Sequence, residues 1–117
     1  MVYHISPDAF AAFESEAETA FTAKLNGVLR EAVPSLAHEP EPAFSATVRL
    51  LIEQARSYGM ISEQEIGVFG VTAGLLGLDF VDHFPGARQI LEGREPPAVK
   101  ADLLEAFTRN LIETLER

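Results

Sequence analysis

The segment that most restricts this chain is Gly67 to Gly77, "GVFGVTAGLLG", which places four glycines within eleven residues of an otherwise apolar run. Its local structure is decided by what precedes it. In "MISEQEI", Ser62 can accept a hydrogen bond from the Glu65 amide while the Glu65 side chain reaches back to the Ser62 amide, the reciprocal pair of a helical capping box. Ile61 and Ile66 flank the cap at the spacing of a hydrophobic staple, so a helix is predicted from Ser62 through the glycines.

Three roles compete for such a run. A phosphate-cradling loop requires a lysine and a hydroxyl residue after its glycines, or a strand before them. Here a helix start precedes the run and the acidic Asp79 follows it, so nucleotide binding is not expected. A bilayer span takes about 20 apolar residues, whereas Ile66 to Leu78 is thirteen residues long and is bounded by Glu65 and Asp79. There remains a buried helix with one bare side. At 100° per residue, Gly67, Gly70, Gly74 and Gly77 fall within an arc of about 80°, with Phe69 and Leu76 opposite and Val68, Val71 and Leu75 on one flank. Four glycines lower intrinsic helix stability by about 3 to 4 kcal/mol in sum, which close approach by a neighbouring helix must offset. That neighbour belongs either to the same chain, to a second copy, or to a partner.

The rest of the chain carries helical periodicity broken by proline and glycine. Ser6-Pro7-Asp8 combines a capping oxygen, a proline suited to the first helical position and an acid near the dipole's positive end. The helix it opens is predicted to run to about Ala32, with Phe21, Leu25, Val28 and Leu29 in its apolar stripe. "VPSLAHEPEP" (Val33 to Pro42) is a loop. A second helix begins near Pro42, buries Phe44, Val48, Leu51, Ile52 and Ala55, and ends at Gly59 in a left-handed conformation. After the glycine helix, Asp79 to Phe84 reads as a turn and Pro85 to about Leu91 as a short helix. "EGREPP" is a linker, and a last helix carries Val99, Leu103, Phe107, Leu111 and Leu115 on one face, with Glu105 and Arg109 paired elsewhere. The expected architecture is all-α: one compact domain over residues 1–117, a bundle of four main helices plus one short one with the glycine-rich helix buried at its centre.

Charge and composition narrow the function classes. Eighteen Asp and Glu stand against nine Lys and Arg, and no Lys or Arg occurs between Arg56 and Arg88. Nucleic acids and anionic lipids are bound through Lys and Arg that neutralise phosphates, so neither is expected as a partner. An acidic surface suits a basic protein partner and equally serves solubility. The absence of cysteine excludes disulfides, thiolate catalysis and cysteine-ligated metal. "MVYHISPDAF" has neither a basic leader nor a secretory apolar stretch, so a cytoplasmic location is expected.

Asp79, Asp82 and His83 form the one acid-histidine cluster beside an apolar segment. A histidine held by a carboxylate can serve as a metal ligand or general base. No further ligand spacing accompanies them, and the serines fall in no nucleophile motif, so Asp79 and Asp82 read as cap and turn residues and His83 as a surface or loop-packing residue. No cofactor or metal is expected. The candidate partner interface therefore comprises Gly67, Gly70, Gly74 and Gly77 together with Asp79, Asp82 and His83.

The stretch "ARSYGMISEQEIGVFGVTAGLLGLDF" resembles a group of small helical bacterial proteins encoded beside type VI secretion effector genes. The pattern is carried by Ser57, Tyr58, Gly59, Ser62, Glu63, Glu65, Asp79, Phe80, Pro85, Ala87, Ile90 and Leu91. Gly86 stands where that pattern has tryptophan, and the segment from Phe80 to Pro85 is shorter than in the pattern. The resemblance implies a role in handling or neutralising a secreted effector. Expected, then, is a non-catalytic adaptor or chaperone for a cognate effector, with an immunity protein that blocks a toxin as the alternative. A small metal-dependent enzyme using Asp79, Asp82 and His83, and a homo-oligomer joined through the glycine groove, are the rivals from other classes.

Overall fold

The computed structural model describes residues 18–33 and 38–116. Within them lie six helices and no strand: α1 (Glu18–Ala32), α2 (Glu41–Ser57), α3 (Glu63–Leu76), α4 (Phe80–His83), α5 (Pro85–Glu92) and α6 (Pro97–Leu115). The chain is all-α, as its periodicity predicts. The proposed helix start at Ser6 lies outside the described residues.

The capping box forms as expected. Ser62 Oγ accepts from the Glu65 amide at 3.1 Å, and Glu65 Oε1 accepts from the Ser62 amide at 3.1 Å. The same Glu65 oxygen also accepts from the Ile61 amide at 2.9 Å. No staple accompanies the box, because the Ile61 side chain is 80% exposed while Ile66 is buried. Gly59 adopts φ +89°, the left-handed stop expected after α2.

From this start α3 carries the glycine-rich run, and nine of its residues are buried, among them Gly67, Gly70 and Phe69. It packs against α1, α2 and α6. At Gly70 the neighbour is in the same chain: a Cβ placed there would lie 3.1 Å from Leu25 Cδ1 of α1. Leucine from α1 thus occupies the side that glycine leaves bare. One turn on in each helix, Leu29 and Gly74 line a common cleft, so α1 and α3 run in the same direction. Gly77 does not belong to the groove predicted for it. The helix ends at Leu76, and Gly77 follows at φ +115°, a conformation that only glycine adopts without strain.

Aromatic side chains carry the core past this end. Phe69 and Phe80, both fully buried, stand 5.2 Å apart between ring centroids, and Tyr58 stands 6.0 Å from Phe69. Burial of Phe80 draws the Asp79 to Phe84 segment into a four-residue helix, α4, where only a turn is predicted. The short helix after Pro85 forms as expected. Against it, Phe107 of α6 comes so close to Gly86 that an added Cβ would sit 2.8 Å from its ring. Phe107 therefore fills the space beside Gly86.

In α6 the predicted face is wrong. The buried residues are Ala101, Leu104, Thr108 and Ile112, whereas Val99, Leu103 and Leu115 are exposed. A strict four-residue step advances 400°, so a ladder from Val99 to Leu115 drifts about 40° per step and winds about 160° around the helix. The rotation actually adopted brings Thr108 against Thr72 of α3, with their hydroxyls 3.1 Å apart in the core. Thr108 donates to the Leu104 carbonyl at 2.8 Å and so accepts from Thr72, leaving neither hydroxyl unpaired. The Glu105 and Arg109 pair is present at 3.0 Å.

Lys100 fastens three elements at the opposite end of the molecule. Its half-buried ammonium donates to the Leu91 carbonyl at 2.7 Å and to the Tyr58 carbonyl at 3.3 Å. These are carbonyls at the C-terminal ends of α5 and α2, where the helix dipole favours a cation. Lys100→Met keeps the aliphatic stem and removes both bonds. It is expected to lower stability by about 1.5 to 3 kcal/mol, measured by urea denaturation.

Candidate functional site

Asp79, Asp82 and His83 come together as two separate pairs. His83 Nε2 lies 2.8 Å from Asp79 Oδ2, one turn back, and Arg88 donates to Asp82 at 3.2 Å. Asp79 stands at the start of α4 but gives its side chain to His83 in place of capping the helix. Both members of the His83 pair are two-thirds exposed, a setting in which such a pair contributes less than about 1 kcal/mol. Among the described residues, no three His, Cys, Asp or Glu side chains converge to hold a metal ion. His38 is exposed, and His4 lies outside the described residues.

A different feature lies where α1 and α3 end and α2 begins. Between them opens a cleft of about 120 Å³. Its floor is Leu29 of α1 with Phe44, Val48 and Leu51 of α2, all buried. Its rim is formed by Thr47, the half-buried Gly74, Glu39 and Leu78, whose side chain is 50% exposed. The cleft follows from the local sequence. Gly77 stops α3 one residue before Leu78, so Leu78 leaves the helix axis and stands at the rim instead of continuing an apolar stripe.

The opposite rim is held by Arg30. Its Nη2 donates to the Glu39 carbonyl at 2.8 Å and to Glu41 Oε2 at 3.1 Å, and its guanidinium lies 4.2 Å from the centroid of the Phe44 ring. One side chain thus ties the segment before α2 to α1 and covers a floor residue from outside. Glu41 also accepts from the Ser45 hydroxyl at 2.8 Å. That bond, followed by the Arg30 guanidinium, holds the Glu41 carboxyl below the ordinary carboxylate range.

Of the predicted interface, Gly74 alone lines the cleft. Gly67 and Gly70 are buried, Gly77 shapes the rim by ending α3, and Asp79, Asp82 and His83 stand on the surface just beyond Leu78. Leu78 and Glu39 were not among the expected site residues. The signal for Leu78 was present: an apolar residue directly after a helix-ending glycine and before an acid has no helical face on which to bury.

No family model matches the sequence, and comparison with curated proteins and with solved structures likewise finds no match. No helix among the described residues is long and apolar enough to cross a membrane.

The rim bond at Glu41 sets a pH dependence. A carboxyl whose folded pKa is depressed stabilises the fold above the ordinary carboxylate range, and the contribution is lost as pH falls through the lowered value. Ser45→Ala is expected to move the Glu41 titration midpoint upward, toward that of a free carboxyl, as followed by NMR of its side-chain carbon.

Proposed function

We propose that the protein is a non-catalytic protein-binding module, an adaptor or chaperone for a cognate effector of a bacterial secretion locus, built around the glycine-rich helix. The observation that carries this reading is the cleft at the end of α3. Pockets for small ligands and cofactors run from about 300 Å³. A cleft of about 120 Å³ with an apolar floor suits one side chain of a protein partner.

Further considerations support it. The surface is acidic, with a formal charge of −9, which speeds encounter with a basic partner and repels nucleic acid. Leu78 stands half exposed at the rim, in the position of a side chain that a partner covers. The stretch from Ala55 to Phe80 resembles proteins encoded beside effector genes. Asp79 and His83, the best candidates for chemistry, form an exposed pair with no third ligand among the described residues.

The experiment is binding of the purified full chain to the separately purified products of the genes on either side of its own. A complex is expected by size-exclusion chromatography with light scattering, weakening as salt is raised. If none of those products binds, the proposal fails. Within the class, relief of a neighbouring product's toxicity on co-expression identifies an immunity protein, whereas increased solubility of that product without relief identifies a chaperone.

A further inference from the structure

From the cleft's size, floor and charge we infer the kind of segment it receives: a basic stretch of a partner protein that inserts a single aliphatic side chain between Leu29, Phe44 and Leu51, with Lys or Arg close to it in sequence. This rests on the protein-binding reading and goes further by assigning the partner's chemistry.

The anchor follows from shape. The floor side chains carry no polar atom, so an inserted polar group would lose its hydrogen bonds to water without replacement. The space is too small for most of a ligand but holds one branched aliphatic group, with Leu78 at its rim. A single anchor in a desolvated pocket, surrounded by weaker contacts, is how binding energy is commonly concentrated.

The flanking basic residues follow from charge. Glu39 lies on the rim and is exposed, and among the described residues its carboxylate makes no ion pair. Glu41, one turn before Ser45, is held by Arg30, and Asp79, directly after Leu78, is held by His83. Arg30 is engaged by the Glu39 backbone carbonyl and the Glu41 carboxylate, and His83 by Asp79. No Lys or Arg lies on α3, since none occurs between Arg56 and Arg88. A second copy of this chain is a poor occupant, because it would bring another −9 to an acidic rim.

The test is selection of a randomised twelve-residue peptide library against the immobilised full chain, followed by fluorescence anisotropy of the best synthetic peptide. The enriched peptides are expected to share an aliphatic residue with Lys or Arg within a few positions. Thr47→Trp, which fills the cleft without changing charge, should weaken the peptide at least tenfold. Glu39→Lys should weaken it at least threefold and flatten its salt dependence. Leu78→Ser, at a half-exposed site, should reduce affinity as well and serves if Thr47→Trp lowers the melting temperature. Enriched peptides that lack basic residues, or whose affinity survives all three substitutions, overturn the inference, as does the absence of any enriched peptide. A neighbouring gene product that binds both wild type and Thr47→Trp equally would leave the protein-binding reading standing and remove the cleft from it. Failure of both the peptides and the gene products would remove both.

Discussion

The contact on which the molecule depends is the approach of Leu25 to the bare backbone at Gly70. Glycine weakens α3 as an isolated helix, and the sequence places it there several times over. The compensation visible at Gly70 is steric: with no Cβ in the way, a leucine from α1 lies where a methyl group would be only 3.1 Å from it. This sets α1 against α3 in the same direction. Once these two are placed, α2 has its groove, and α6 takes the remaining side with Thr108 on Thr72. Lys100 then joins the ends of α2 and α5 to α6.

The cleft is a consequence of how those helices end. If α3 continued past Leu76, Leu78 would lie along the helix; Gly77 at φ +115° turns the chain away and leaves Leu78 at the rim. If the segment before α2 were not held, the opposite wall would have no fixed position, and Arg30 supplies that hold through a carbonyl, a carboxylate and an aromatic ring. An apolar floor with Glu39 on its rim is then what this end of the molecule presents.

How much of this was legible from the residues depended on the range of the interactions. The capping box at Ser62 and Glu65 spans four residues, and the left-handed stop at Gly59 involves one, so both could be read directly. The face of α6 could not, because five apolar residues at four-residue steps suggest one stripe while winding around the helix, and the choice of buried face rests on a threonine in α3. The staple at Ile61 failed for a related reason: the Glu65 carboxylate takes the Ile61 amide along with that of Ser62, while the side chain stays in solvent. In the candidate site, the glycines lie on a helix whose end borders the cleft, and Gly74 is the one of them that lines it. Glu39 carries no local signal, because its place on the rim is set by Arg30, nine residues earlier. The Asp79 and His83 pair was found by its residue types, but the two stand two-thirds exposed beside the cleft.

The most direct measurement of the central claim is a double-mutant cycle between Leu25→Ala and Gly70→Leu, read by urea denaturation. Each change alone should destabilise the protein, the first by leaving a cavity and the second by overpacking. If Leu25 occupies the side that Gly70 leaves bare, the space vacated by the first accommodates the second. The pair together should then cost at least about 1 kcal/mol less than the sum of the two. Costs that add to within about 0.5 kcal/mol would show that the two sites are independent and would contradict the account.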